Sequence, residues 1–407
     1  MKKVLLTAMA ILTVASTTVF GMYGMDGDDW IGFLTDGNQL RARMDQLGFT
    51  LGNGTIKGTF GFRTDKGALG NIISGAVSGD KLTTTHYFTP TVSAGIGYTS
   101  DMFGIGVGYN FTYVDPHLYI HTPVLMFNAL NNNLKIAVPI EIAITDDARP
   151  NDPFGDSMVD PNISKVKFTG IGFNNLELRY TTGIDAFNEV RFYASYRNTT
   201  HEAPVNGATQ KLVSEALALQ LRLYFLKTTV GDVTVNPFLK VQYSTALKGT
   251  RLDDFYMLDS YKYPAGQVVN GVYDGNVGID GSKKQSDIYK SSPYQVTITP
   301  VLSLAASSDI VSLYFEPSLG YRISGNAITV EEANAGMKQK ITHNLAWGAY
   351  AEMYVTPVED LEWYFEMDIN NNNTVASANG STPPVYFETT TGITWYLPSF
   401  GGDTAAQ

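Results

Sequence analysis

Five histidines are the chain's only imidazoles, at His86, His117, His121, His201 and His343. His117 and His121 are four residues apart, which on a strand puts both on one face. No HExxH pattern surrounds them, however, and the chain has no cysteine to complete a ligand set. Two rim or lumen histidines are the preferred reading, and no metal or cofactor is expected. Gly104-Ile-Gly-Val-Gly108 has the glycine density of a phosphate loop, but its strict alternation is a strand pattern and no helix follows. Asp115 lies near His117 without an identifiable nucleophile, and no GxSxG elbow is present. Acidic clusters at 26–29, 146–147 and 253–254 lack an EF-hand loop and read as solvated loop charge. No catalytic residues are assigned, and the chain is not expected to be an enzyme.

Another set of charges has a more informative spacing. Lys57, Lys135, Glu141, Glu177, Arg179, Arg191, Arg222, Lys240, Glu316, Glu352, Glu362 and Glu366 each fall on the polar side of a segment whose other side is apolar. Such residues are expected to line a lumen if those segments are the strands of a barrel.

The segments that must position them alternate with period two. In "LKIAVPIEIAI", Leu134, Ile136, Val138, Ile140, Ile142 and Ile144 share one face. In "MFGIGVGYNFTY", Phe103, Ile105, Val107, Tyr109, Phe111 and Tyr113 stand against Gly104, Gly106, Gly108, Asn110 and Thr112, so one face is almost bare. The same pattern recurs from Leu217 to Phe225 and from Leu361 to Ile369, and in five further stretches. Each offers about nine or more residues, the length a tilted strand needs to cross a bilayer.

Alternation alone also suits a soluble sandwich with an apolar inner face. Two observations favour hydrocarbon. Aromatic residues such as Tyr109, Tyr113, Tyr294, Tyr321, Trp347, Trp363 and Trp395 fall toward segment ends, as interfacial girdles require. The apolar faces are also almost free of charge, where a charged side chain would cost about 2–4 kcal/mol at midplane.

Connections alternate between short turns, near 99–102, 131–133, 184–188, 226–232, 307–309 and 356–360, and longer polar stretches at 64–89, 145–167, 198–211, 246–292, 323–340 and 370–384. Short periplasmic turns and long external loops are the expected asymmetry. The fold expected is therefore an all-β, antiparallel transmembrane barrel of about 14 strands, with 16 as the alternative. Residues 53–400 form the barrel, 22–52 are a periplasmic or plug segment, and 401–407 are a tail.

At the start, Lys2 and Lys3 precede a short apolar run from Val4 to Val14 and small residues near Gly21, the pattern of a secretory signal peptide at 1–21. Its loss lowers 28 basic residues to 26 against 39 acidic ones, a net charge near −13 that repels nucleic acid. After Gly21 no apolar stretch approaches the roughly 18 residues of a spanning helix. The 24 Tyr, 21 Phe and 39 Gly fit a glycine-punctuated β chain.

The chain resembles the Brachyspira-type variable surface proteins of spirochaete outer membranes. The likeness is carried by "MKKVLLTAMAILTVAS", "DDWIGFLTDGNQLRARMDQLGF", "SAGIGYTSDMFGIGVGY", "HTPVLMFNALNNNLKIAVPI" and "LELRYTTGIDAFNEVRFY". It covers the N-terminal half well and the rest by general character. The run past Phe400 through "GGDTAAQ" departs from the aromatic ending common in outer-membrane barrels. The resemblance implies an abundant surface antigen whose external loops differ between copies and which assembles into larger complexes; it implies no catalytic residues.

Two functions from different classes follow as expectations: display of variable loops at the cell surface, or diffusion of small solutes through the lumen. A soluble sandwich that binds glycans is the third. The expected location is the outer membrane, surface-exposed. The expected partners are outer-membrane lipid, other surface proteins in a homo- or hetero-oligomer, and host factors or antibodies at the loops.

Overall fold

A computed structural model of the chain describes residues 28–43, 46–63, 90–115, 118–148, 166–205, 208–252, 268–269, 272–273, 278–371 and 385–396. Sixteen strands form its wall. The first six are β1 (Gln39–Arg43), β2 (Gln46–Gly52), β3 (Ile56–Arg63), β4 (Thr91–Thr99), β5 (Gly104–Asp115) and β6 (Leu118–Ala129). Next come β7 (Leu134–Pro139, resuming as Glu141–Ala148), β8 (Val166–Ile184), β9 (Phe187–Val205), β10 (Ala208–Tyr224) and β11 (Val233–Lys248). The last five are β12 (Tyr294–Ser307), β13 (Val311–Gly325), β14 (Ile341–Val358), β15 (Leu361–Asn370) and β16 (Tyr386–Tyr396).

Each strand pairs antiparallel with its neighbours in sequence, and β1 closes the sheet on β16 through Arg41↔Tyr396, Ala42↔Trp395 and Arg43↔Thr394. Closure leaves no sheet edge, the condition for a β-structure in hydrocarbon. A single closed sheet also excludes the soluble sandwich, which needs two sheets packed face to face.

The strand number corrects the expected 14 to 16. Residues 39–52, expected in a periplasmic or plug segment, are two strands of the wall. Among the described residues of that segment, Asp28–Asp36 enters the interior. The stretch 198–211, expected as a loop, is also mostly wall. Strands β9 and β10 stay paired in register from Glu189↔Tyr224 to Val205↔Ala208, a hairpin that outruns the roughly 10 residues needed to span the bilayer.

Burial follows the alternation. Along β6 the odd and even positions separate cleanly: Leu118, Ile120 and Val124 are buried, whereas Tyr119, Leu125 and Phe127 face outward. Outward apolar side chains form a continuous belt, with Ile96 at 57%, Ile105 at 56%, Leu319 at 60% and Phe387 at 60% exposure. In water such a belt would be a severe liability; against lipid tails it is the favourable arrangement. Aromatic contacts cluster near both rims, as in Tyr98–Phe103 at one end and Phe111–Tyr119–Tyr113 at the other.

Local irregularities have local causes. Asn131 and Asn132 adopt positive φ in the β6–β7 turn, a conformation asparagine tolerates. A bulge in β8 opposite Ala194–Tyr196, with Asn175 at φ 56°, shifts the alternation by one residue. Ile171 and Phe173 therefore share the outer side with Leu176 and Leu178, while Glu177 and Arg179 turn inward.

One rim carries turns of two to eight residues, at 53–55, 100–103, 130–133, 185–186, 225–232, 308–310 and 359–360. The other rim carries all five long connections, 64–90, 149–165, 249–293, 326–340 and 371–385. Two of these are tied together outside the wall. Tyr289–Ser291 pairs with Ile328–Thr329, and Ile279, Ile288 and Tyr289 bury one another with Ala327 packed against them. The short helix Val330–Asn334 starts on a capping box in which Thr329 Oγ1 accepts from Glu332 N at 3.1 Å and Thr329 N donates to Glu332 Oε2 at 2.8 Å.

Candidate functional site in the barrel interior

The interior divides into two regions. On the side of β4, β5 and β6 the wall presents glycine: Gly95 and Gly97 from β4, and Gly104, Gly106 and Gly108 from β5. This bare face is filled by the segment Asp28–Asp36, whose first turn is a 3-10 helix at Asp28–Ile31. Trp30, Ile31, Phe33 and Leu34 are all buried there with Val124, Met126 and Ala137. A Cβ at Gly108 would lie 2.6 Å from the Trp30 ring, and one at Gly97 would collide with the Leu34 side chain. The glycines are thus a surface shaped to accept the plug, because only a wall without side chains lets an indole lie against its backbone.

Polar groups fix the plug at its exit. Asn38 brackets Gly52, donating to its carbonyl at 3.0 Å and accepting from its N–H at 2.7 Å. Lys57 donates to the Asp36 carbonyl, and Lys135 Nζ donates to Thr35 Oγ1 at 2.8 Å. Two residues assigned to the lumen by the sequence therefore hold the plug. Glu141, also buried, sits where β7 resumes after Ile140.

The second region is charged, and its register is unusual. Lys135 stands opposite Arg179, Arg179 opposite Arg191, Arg191 opposite Arg222, and Arg222 opposite Lys240. Five cations thus form one row across β7, β8, β9, β10 and β11. Directly opposed side chains in such pairs are about 5 Å apart at Cβ, and like charges there destabilise a sheet by roughly 0.2–1 kcal/mol per pair. Two acids relieve part of this cost. Glu177 is fully buried and pairs with Arg179, and Glu189 grips Arg191 with two bonds, at 3.0 and 3.1 Å. The Gln220 amide, with its oxygen turned toward Arg222, accepts at 2.9 and 3.0 Å. Aromatic faces hold the guanidiniums: Arg191 lies 4.9 Å from the Tyr224 ring centre, and Arg222 lies 4.9 Å from that of Tyr193.

Acids predominate on β13, β14, β15 and β16. Glu352 is directly opposite Glu366, and Asp368 is opposite Glu388. Tyrosines serve these carboxylates from two residues away on the same strand. Tyr314 donates to Glu316, Tyr350 to Glu352 at 2.5 Å, and Tyr386 to Glu388. Tyr396 donates to Glu362 at 3.2 Å, and Arg43 stacks on Tyr364 at 3.6 Å while lying 3.9 Å from Glu366. Of the charges named from the sequence, Arg179, Arg191, Arg222 and Lys240 stand on β8 to β11 and Glu316, Glu352, Glu362 and Glu366 on β13 to β15, while Glu141 and Glu177 lie on β7 and β8 among the bases.

The lumen charges named from the sequence omit Glu189, Arg43, Asp368 and Glu388 and their partners Tyr193 and Tyr224, and the plug reading of 22–52 does not single out Trp30, Phe33 and Leu34. The i, i+2 spacing of Glu189 and Arg191 on the polar face was the available signal for one of them. The histidines do not converge. His121 points outward and hydrogen-bonds Tyr109, and His343 does the same with Tyr321 at 2.8 Å. His201 packs on Phe168 with ring centres 4.9 Å apart, while His86 and His117 lie outside the described residues. Gly104–Gly108 is a strand and not a phosphate loop. Among the described residues no group of three or more His, Asp or Glu side chains could hold a metal.

The family model of the Serpulina hyodysenteriae variable surface protein matches residues 2–396. The chain belongs to this family. Membership and the closed wall with its apolar belt together make it an outer-membrane β-barrel surface protein, and the family description names no catalytic activity. No curated protein matches the chain. Solved structures similar to it include a loop L8 deletion mutant of OmpT, an outer membrane protein of Vibrio cholerae, at 10% identity over 88% of this chain and 97% of that one, with a TM-score of 0.31. Another is the translocator domain of the autotransporter NalP from Neisseria meningitidis, at 11% identity over 96% of each chain and a TM-score of 0.29. At such scores the fold assignment rests on the strand pairing itself.

Proposed function

We propose that this family member is a surface-display barrel, exported by the leader at 1–21 and seated with its five long connections on the outer side of the membrane. The observation that carries this reading is the division of the rims: every connection of 15 or more residues leaves one rim, and both ends of the wall, β1 and β16, meet at the other. A rigid closed wall supports such loops at little cost, because changes in loop length hardly alter the pairing below them. Loops of this kind are the surface that other outer-membrane proteins, host factors or antibodies would meet, and differences between copies would fall there. Protease treatment of intact cells tests the orientation. Cleavage confined to the five long connections supports it, and cleavage only at the short-turn rim after permeabilisation rejects it.

Passage of small solutes is a second reading, favoured by one observation. Arg179 and Arg191 retain 12% and 13% side-chain exposure inside the wall, so the basic row borders accessible space. Planar-bilayer recording of the folded chain tests it, and silence across repeated insertions would dismiss it.

A further inference from the structure

We infer that the basic row on β7 to β11 is a binding site for a small anion bearing two or more acidic oxygens, such as a dicarboxylate or a phosphate. The inference goes beyond surface display and does not depend on which rim faces outward.

Geometry comes first. Adjacent strands are about 4.8 Å apart, so the row Lys135, Arg179, Arg191, Arg222 and Lys240 extends for roughly 19 Å around the interior. A two-headed anion a few ångströms long would meet two or three of these cations at once. The guanidiniums of Arg191 and Arg222 are already oriented by the Tyr224 and Tyr193 rings, which leaves little side-chain freedom to be lost on binding.

The charge balance points the same way. Glu177 and Glu189 serve Arg179 and Arg191. Among the described residues no carboxylate lies within ion-pair distance of Arg222, Lys240 or Lys135. Carboxylates reach them at longer range: Asp36 and Glu189 toward Lys135, Glu316 toward Arg222 and Lys240, and Asp368 toward Lys240. Packing does not account for the row, because directly opposed like charges weaken the sheet and a neutral side chain would pair better. An anion laid along the row removes that repulsion, and planar guanidiniums match carboxylate or phosphate oxygens in pairs. The described part of the plug fills the glycine side and reaches the row at Lys135, whose Nζ donates to Thr35 Oγ1.

The test is calorimetric titration of the folded full chain in detergent at low salt, using succinate, inorganic phosphate and the neutral analogue succinamide. Saturable binding of succinate or phosphate is expected, with succinamide silent and added chloride competing. Tighter binding of succinate would assign the site to organic acids, and tighter binding of phosphate to phosphorylated solutes. The double variant Arg222→Gln, Lys240→Gln should bind at least about tenfold more weakly, and the anion should raise the thermal midpoint of the parent chain but not of the variant. Equal binding of succinate and succinamide, no binding of either anion at about 10 mM, or an unchanged affinity in the variant would overturn the proposal. Should the variant fail to fold, the comparison of charged and neutral probes on the parent chain still decides it.

Discussion

The two sides of the barrel interior solve one problem in opposite ways. Where β4 and β5 face inward the wall is stripped to glycine, and an apolar segment led by Trp30 fills the space by shape. Where β8 to β15 face inward the wall carries arginines, lysines, glutamates and tyrosines, and charge and hydrogen bonding occupy the space instead. The first side is filled from within the chain. The second keeps accessible surface and carries like charges in register, a cost that packing does not explain. A wall of uniform strand pairing can therefore hold a structural region and a functional one side by side, because inward side chains are free of the constraint that lipid places on outward ones.

The comparison breaks most sharply at the plug. Trp30→Ala should cost about 3–5 kcal/mol of unfolding free energy in detergent, as for other fully buried indoles, whereas no single truncation on the basic row should cost as much. Gly108→Val should act from the wall side, because its side chain would occupy the place of the Trp30 ring. The expected loss is about 1–3 kcal/mol together with increased tryptophan exposure to quencher, and an unchanged quenching curve would show that the plug does not depend on the glycine face. On the charged side, Glu177→Gln should cost about 1–3 kcal/mol by weakening the buried bond to Arg179, measurable by urea titration of the folded chain.

Lys240→Gln should move stability the other way, raising the thermal midpoint in anion-free buffer by the equivalent of about 0.2–1 kcal/mol as one opposed like-charge pair disappears. The smallest effect concerns the structured connections outside the wall. The Ser282 backbone N–H, and then its hydroxyl, hold Asp280 below its ordinary range, and the Thr329 N–H and hydroxyl do the same for Glu332. Carboxylates depressed in this way stabilise above their unfolded values and lose that contribution as pH falls through their folded ones. Acidification below the usual carboxylate range should therefore speed amide exchange at Ile328 while leaving the wall protected.

Much of this architecture was legible because lipid imposes a strict period. The outward faces of β5, β7, β11 and β15, and the inward placement of residues such as Arg191 and Glu366, follow from alternation alone. The strand count was not legible. Strand β1 has five residues, "QLRAR", with two arginines and little apolar contrast, and it is assigned only by its pairing with β2 and β16. The β9–β10 hairpin read as a loop because beyond the membrane its strands carry Asn198, Thr199 and Thr200 and no longer obey the lipid rule. The bare face of β5 was visible in the glycines, but its filler was not: "DWIGFL" has neither strand period nor helix length, and its burial is decided by a surface distant in sequence. The row of cations was visible residue by residue, yet its continuity depends on register, which spacing along one strand does not encode.

Among the described residues the seam between β1 and β16 holds three residue pairs, against seventeen between β9 and β10. Since β1 follows directly on the plug, this narrow junction ties the closure of the wall to the segment that fills it. Trp30 lies nine residues before the first residue of β1, so a short tether joins the stopper to the stitch that closes the cylinder around it.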